Sequence, residues 1–231
     1  MNRLFYFLYP YIAYPWDSCL ANYRKISSQK VFCIGLNKTG TTSIELTLAE
    51  MGYEMGTQRK GELLLHDWFQ GNYKRIIKFC ETAEAFQDSP FSLPNTYKAL
   101  DQHFPDAKFI LTIRDTPEQW YDSLTRFHSK LFADGKRIPT LDDLKAASYI
   151  RKGRLHRTLP LIFKSPPEDI YNKEILLNYY ATHNEAVATY FSNRPNKLLI
   201  INTAQPKDYS RLCDFLNKKP LRKGFPWLNK T

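Results

Sequence analysis

Between Val31 and Ser43 the chain reads Val-Phe-Cys-Ile-Gly-Leu-Asn-Lys-Thr-Gly-Thr-Thr-Ser, an apolar run that passes directly into a glycine-bearing turn. A run of this kind suits a strand covered on both faces, the environment of a parallel sheet flanked by helices. Helical sequence follows from Ser43 to Met51. A strand, a turn and a helix N-terminus in this order bring backbone N–H groups and the positive end of a helix dipole to one point, where a phosphate binds. The segment therefore commits the chain to a layered α/β fold and to an anionic ligand.

From Lys30 onward short apolar strands alternate with helical stretches, and no Gly/Ser linker, repeat or low-complexity tract divides them. This indicates one α/β domain over residues 30–231 behind an N-terminal aromatic arm, residues 1–29. Strands are expected at Val31–Gly35, Ala85–Asp88, Lys108–Ile113 and Lys197–Asn202. Helices are expected to open near Thr41 and to cover Asn72–Cys80, Thr96–Phe104, Pro117 to about Lys130, and Ile170–Phe191. Pro105-Asp106 and Pro195-Asn196 each fall after a helix and before a strand, where this architecture needs a breaker. The basic, proline-punctuated stretch from Phe132 to Pro167 reads as helical insertions over one edge, a natural place for acceptor specificity. The fold class is thus three-layered, a central parallel sheet with helices on both faces, P-loop NTPase-like in architecture.

Lys and Arg number 33 against 23 Asp and Glu, a net charge of +10, so the surface attracts anions such as nucleic acid, acidic lipid, sulfated glycan or a polyphosphorylated nucleotide. The basic residues are dispersed rather than striped and no nucleic-acid motif accompanies them, which argues against a nucleic-acid partner. With 43% hydrophobic residues the chain is not of the disordered class. Cys19, Cys33, Cys80 and Cys213 contain no C-x-x-C pair and read as reduced, mostly buried thiols, in keeping with a cytoplasmic location. Leu4 to Trp16 form an uncharged aromatic run broken by Pro10 and Pro15, shorter than the ~20 apolar residues of a spanning helix. An arm packed on the domain is the expected reading, with membrane-surface contact through residues 4–16 or a targeting signal as alternatives.

Gly35 and Gly40 have the spacing of G-x-x-x-x-G-K-[ST], but Thr41 stands where a nucleotide triphosphatase carries its lysine, and the loop's lysine is Lys38. A lysine within the arch of the loop points at the distal bond of a bound anhydride. Ile113 is followed by Arg114 before Asp115, so no acidic residue closes that strand in a metal-binding context. A magnesium-dependent kinase is therefore the weaker enzyme reading, and no metal is expected.

Asn37-Lys-Thr-Gly-Thr-Thr-Ser43 resembles the 5′-phosphosulfate loop of the sulfotransferases, which use 3′-phosphoadenosine 5′-phosphosulfate as sulfuryl donor. Phe104-Pro-Asp-Ala-Lys-Phe-Ile-Leu-Thr-Ile-Arg-Asp115 with Pro117-Glu-Gln-Trp-Tyr-Asp-Ser123 looks like the family's strand, arginine and serine-bearing helix for the 3′-phosphate. A softer third block runs from Lys197-Leu-Leu-Ile-Ile-Asn202 through Leu212-Cys-Asp-Phe-Leu216 to Phe225-Pro-Trp-Leu-Asn229. The resemblance implies that Asn37, Lys38, Thr39, Gly40, Thr41, Thr42 and Ser43 hold the 5′-phosphate, that Lys38 steadies charge on the bridging oxygen, and that Arg114 and Ser123 hold the 3′-phosphate. Arg114 and Ser123 are nine residues apart, one more than the family's usual spacing, with Thr116 the extra residue and Asp122, Thr125 and Arg126 as neighbours of interest. Arg222-Lys223-Gly224 looks like the Arg-Lys-Gly with which cytosolic sulfotransferases hold the 3′-phosphate; a solvated basic tail is the alternative.

Sulfuryl transfer to a hydroxyl or amine needs a base in line with the leaving phosphate. Asp88 in Asp88-Ser-Pro90 resembles the family's base-x-Pro arrangement and is the candidate; a turn or helix cap is the alternative, and His66 and His183 are the other candidate bases. The reading is a sulfotransferase acting on a glycan, lipid or small-molecule acceptor, against a P-loop kinase or a non-catalytic polyanion-binding module. Trp120, Tyr171, Tyr179 and Tyr180 are either core or acceptor platforms. The sequence does not specify an oligomeric state.

Overall fold

The computed structural model describes residues 29–226, so the aromatic run at residues 4–16 and Cys19 lie outside the described residues. Strands β1 (Val31–Cys33), β2 (Ala85–Phe86), β3 (Lys108–Thr112) and β6 (Leu198–Ile201) form one parallel sheet in the order β2-β1-β3-β6. Val31 lies opposite both Ala85 and Lys108, and Phe109 opposite Leu198. The order reverses beside β1, between neighbours β1 and β3, and at such a switch point a crevice opens beyond the carboxyl ends of the strands.

Alternation along the strands divides the core in two. Phe32, Phe86 and Phe109 stack on one face, with Phe32 ring centroids 5.7 and 5.6 Å from the other two, under α5 (Thr96–His103) and α9 (Lys173–Tyr190). Val31, Cys33 and Ile110 turn the other way, against α1 (Thr41–Glu50) and α10 (Pro206–Phe215). Phe32 is completely buried; truncation to alanine would cost ~3–5 kcal/mol in lost transfer energy and cavity. Cys33, Cys80 and Cys213 are free and buried, as expected of them.

A third apolar cluster lies around α6 (Pro117–Phe132) and the segment after it, which forms α7 (Leu141–Ala146), an antiparallel hairpin of β4 (Ser148–Tyr149) and β5 (Arg151–Lys152), and α8 (Arg154–Phe163). Trp120 and Tyr180 stack here at 5.0 Å and both are buried, as is Tyr171, so these aromatics serve as core. Among the described residues no helix is long and apolar enough to cross a membrane.

The elements differ from the sequence expectation mainly at their ends. The strand expected to reach Asp88 stops at Phe86, and Asp88 itself turns into the left-handed region with φ 60°. The long helix opens at Lys173 rather than Ile170 because the Asn172 side chain accepts the Ile175 N–H at 3.0 Å and fixes the start there. Helices α2 (Gln58–Glu62) and α3 (Leu65–Phe69) were not expected, being too short to display a helical period; α4 (Lys74–Cys80) and α10 complete the layers.

Candidate active site

The phosphate loop joins β1 to α1, and two glycines allow its path. A Cβ on Gly35 would stand 2.1 Å from Thr112 Oγ1, and one on Gly40, whose φ is 103°, would stand 2.2 Å from Thr203 Oγ1. Lys38 is also left-handed, with φ 69°. Such alternation curls successive N–H groups inward, making a concave anion site. Among the described residues no side chain caps the N-terminus of α1; the Ser43 N–H turns back to the Gly40 carbonyl at 3.0 Å, and the N–H groups before it are those a helix cannot satisfy itself. The loop-binding residues divide by role. Thr39 is fully buried and its hydroxyl is committed to the Leu36 carbonyl and Thr112 Oγ1, each at 2.5 Å, so it shapes the loop. The Ser43 hydroxyl donates to the Pro226 carbonyl at 2.8 Å, fastening the C-terminal segment to α1.

Two outside groups fix the crest of the loop. Trp120 Nε1 donates to the Asn37 carbonyl at 2.9 Å, and Arg114 Nε to the adjacent Lys38 carbonyl at 2.8 Å. The Arg114 Nη groups enter no hydrogen bond or ion pair among the described residues, leaving the outer fork of a half-buried guanidinium for a ligand. Lys38 Nζ lies 3.3 Å from the centre of the Phe127 ring, a cation held by a ring face rather than by a carboxylate. Burial pushes the Lys38 ammonium down to about 8, with Arg114 and Lys130 adding to the effect and Asp88 opposing it.

Thr116 resolves the extra residue before Pro117. Its hydroxyl accepts the Gln119 N–H at 3.1 Å as the N-cap, with Pro117 in the first helical position, so α6 begins in register. Trp120, Ser123 and Phe127 then fall at i, i+3 and i+7 on one stripe, the stripe that meets Asn37 and Lys38. Ser123 is 4% exposed and its hydroxyl has no partner. Thr125 by contrast bonds back to the Tyr121 carbonyl at 2.9 Å, Arg126 Nε to the Asp122 carbonyl, and Asp122 is exposed. Arg222 is turned elsewhere: it forms a bidentate ion pair with Glu50, at the end of α1 opposite the phosphate loop, and Lys223 is exposed. A basic loop is captured by whichever carboxylate lies nearest, which its own sequence does not reveal.

Across the crevice Asp88 Oδ1 accepts the Ser89 N–H at 2.8 Å and Oδ2 accepts from Gln58 Nε2 at 3.3 Å. The cap of α5 is Asn95, so Asp88 does not cap that helix. Burial raises the Asp88 carboxyl, opposed by the Ser89 N–H and then by the charge of Lys38. Glu45 on α1 joins it: burial, and then Asp88, push Glu45 up to about 7. Sequence reasoning missed Glu45. The available signal was its place four residues after Thr41, on the same face of the phosphate-binding helix. The two candidate histidines are placed differently. His183 is buried with Nε2 3.0 Å from the Ile34 carbonyl, and His66 is exposed on α3. His128, also missed, is buried against the Tyr171 hydroxyl at 2.7 Å and held neutral, pushed down to about 3 by burial and then by Lys38.

An anion cradle at a helix N-terminus, a cation inside the loop and carboxylates facing it suit a group-transfer enzyme. The family described as Sulfotransferase domain matches residues 30–231, and the chain belongs to that family. Its activity is accordingly of the sulfuryl-transfer class. None of the curated proteins matches the chain.

Proposed function

We propose that the protein transfers a sulfuryl group from 3′-phosphoadenosine 5′-phosphosulfate to a hydroxyl or amine acceptor. The observation that carries the reading is the Ser123 hydroxyl, buried and without a partner, one turn of α6 beyond the tryptophan that grips the loop. An orphaned buried hydroxyl costs stability unless a ligand satisfies it. A donor with phosphates at two ends gives employment to Ser123 and the Arg114 fork at one end and to the α1 N-terminus at the other; sulfate alone fills one site.

In this scheme the donor supplies an activated S–O bond. The backbone N–H groups of Gly40, Thr41 and Thr42 and the Thr41 and Thr42 hydroxyls hold the 5′-phosphate against the α1 dipole, the Thr39 and Ser43 N–H groups being turned to the Leu36 and Gly40 carbonyls. Lys38 stands where negative charge gathers as the sulfur leaves the bridging oxygen, as a preorganised cation in a half-buried site. Asp88 takes the acceptor proton while the acceptor oxygen or nitrogen bonds to sulfur. Thermal shift tests the reading, because a ligand of the native state raises apparent stability. 3′-Phosphoadenosine 5′-phosphate should stabilise the chain well beyond sulfate and beyond ATP with Mg²⁺; an equal or larger shift with ATP and Mg²⁺ would overturn it.

A further inference from the structure

Behind Asp88 the side chains of four separate segments join into one polar network. Gln58 Nε2 donates to Glu62 Oε1 at 3.1 Å and to Asp88 Oδ2 at 3.3 Å. Gln87 Nε2 donates to Glu45 Oε2 at 3.2 Å and to Gln58 Oε1 at 3.0 Å. The Tyr149 hydroxyl, from the β4 hairpin, donates to Glu62 Oε1 at 2.7 Å. Every side-chain donor here is directed at another member. What remains are two acceptors, Glu62 Oε2 and Gln87 Oε1, buried and unpartnered on residues 8% and 4% exposed.

Buried polar atoms require partners; burial raises the Glu62 carboxyl, and in its ionised form Glu62 Oε2, like Gln87 Oε1, can be satisfied only by a donor. Charge narrows the choice. Glu45, Glu62 and Asp88 converge with no ion pair to any of them among the described residues, on a chain of net charge +10. Lys38 faces Asp88, while Arg59 and Arg154 influence Glu62, Arg154 through a 2.5 Å bond to the Glu62 main-chain carbonyl. Glu45 and Asp88 are only partly covered, so the network reaches the surface at these two carboxylates.

We infer that this network is the acceptor subsite and that it holds an ammonium group, so that the acceptor is an amino alcohol or amino sugar. The inference rests on the sulfotransferase reading with Asp88 at the reacting position. An ammonium offers three donors to a site short of donors and a positive charge to three carboxylates that form no ion pair among the described residues. Held between carboxylates it keeps its proton, so its lone pair is not the nucleophile. The neighbouring hydroxyl is: its proton passes to Asp88, its oxygen bonds to the sulfur of the donor, and the bond from sulfur to the bridging oxygen breaks, with the electron pair staying on 3′-phosphoadenosine 5′-phosphate.

The test is calorimetric titration of the full chain, saturated with 3′-phosphoadenosine 5′-phosphate, using trans-2-aminocyclohexanol and trans-1,2-cyclohexanediol, which differ by one ammonium for one hydroxyl. The amine should bind at least ~10-fold tighter at pH 8. Glu62→Gln puts an N–H donor in place of the open acceptor and should abolish the preference while leaving nucleotide affinity unchanged. For the wild-type chain alone, the preference should fade as pH drops below about 7 and Glu45 gains a proton, while diol affinity stays level. Equal affinity for the two probes, or no binding of either to a nucleotide-loaded chain, overturns the inference. Failure of the nucleotide itself to bind overturns the donor assignment beneath it, a separate and recognisable result.

Discussion

The Nε of Arg114 donates to the main-chain carbonyl of Lys38 at 2.8 Å, so one guanidinium holds the crest of the phosphate loop while its Nη groups enter no hydrogen bond among the described residues. The segment just beyond β3 and the loop that follows β1 are thereby locked across the switch point of the sheet. The two functions separate by ligand. Arg114→Ala should weaken 3′-phosphoadenosine 5′-phosphate by about 1.5–3 kcal/mol through loss of a charge-assisted pair. Adenosine 5′-phosphosulfate, which lacks the 3′-phosphate, should lose only the smaller contribution of the loop tether. Titration calorimetry that found equal losses for both would leave Arg114 with the tether alone.

Ser123→Ala offers an unusual sign. The hydroxyl is buried and satisfied by nothing among the described residues, so its removal should leave the melting temperature unchanged or slightly raised. Affinity for 3′-phosphoadenosine 5′-phosphate should nevertheless fall by about 1.5–3 kcal/mol, the worth of a hydrogen bond to a charged group. A variant that melts as before and binds the nucleotide as before would take Ser123 out of the site.

The residues assigned to the proposed donor could be nominated from sequence because they are local. Lys38 and the α1 N-terminus sit in one unbroken segment, and Arg114 and Ser123 in a second, so motif order sufficed to nominate them. The proposed acceptor side could not be, because Glu45, Gln58, Glu62, Gln87, Asp88 and Tyr149 come from segments that only the fold assembles. No spacing links Tyr149 to Glu62. The short helix that carries Glu62 has too few turns to show a period, and β2, at two residues, ends where Asp88 adopts a backbone conformation its sequence does not signal. Arg222 shows the converse limit: a matching tripeptide places charge in a loop, and the partner, Glu50, is supplied by tertiary structure.

The titrations set a pH window. Lys38 is needed charged, and its ammonium is pushed down to about 8, so in the free enzyme it loses its proton as pH rises through that value. Glu45 and Asp88 are needed ionised; both are raised, Glu45 to about 7, and they titrate as a coupled pair whose protons leave as pH rises. The kcat/KM for the donor should thus climb toward neutrality and decline above about 8. Lys38→Arg, whose guanidinium stays charged, should lower turnover yet abolish the alkaline decline. Donor binding near pH 8 should also draw in a proton, seen as a buffer-dependent enthalpy, because the bound anion favours charged Lys38. A wild-type profile level from pH 7 to 10 would contradict the role given to this lysine.

Asp88 is where the mechanism is most exposed. Asn tolerates a φ of 60° as Asp does, and its Oδ1 can still accept the Ser89 N–H, so Asp88→Asn removes charge with little disturbance of the turn. The one lost contact is the bond from Gln58 Nε2, which the new amide nitrogen cannot accept. The fold and donor affinity should therefore persist, with a small fall in melting temperature. Turnover should drop by ~10² to 10⁴ if Asp88 takes the acceptor proton. The variant also reports on its neighbour: with the Asp88 charge gone, one of the two causes that raise Glu45 disappears, and the residual activity should rise with pH at a lower value than in the wild type. Near-normal turnover in a stable Asp88→Asn protein would reject Asp88 as the base. Glu45, the adjacent carboxylate held by Gln87 on the phosphate-binding helix, would then inherit the role, and Glu45→Gln would decide it by the same measurement.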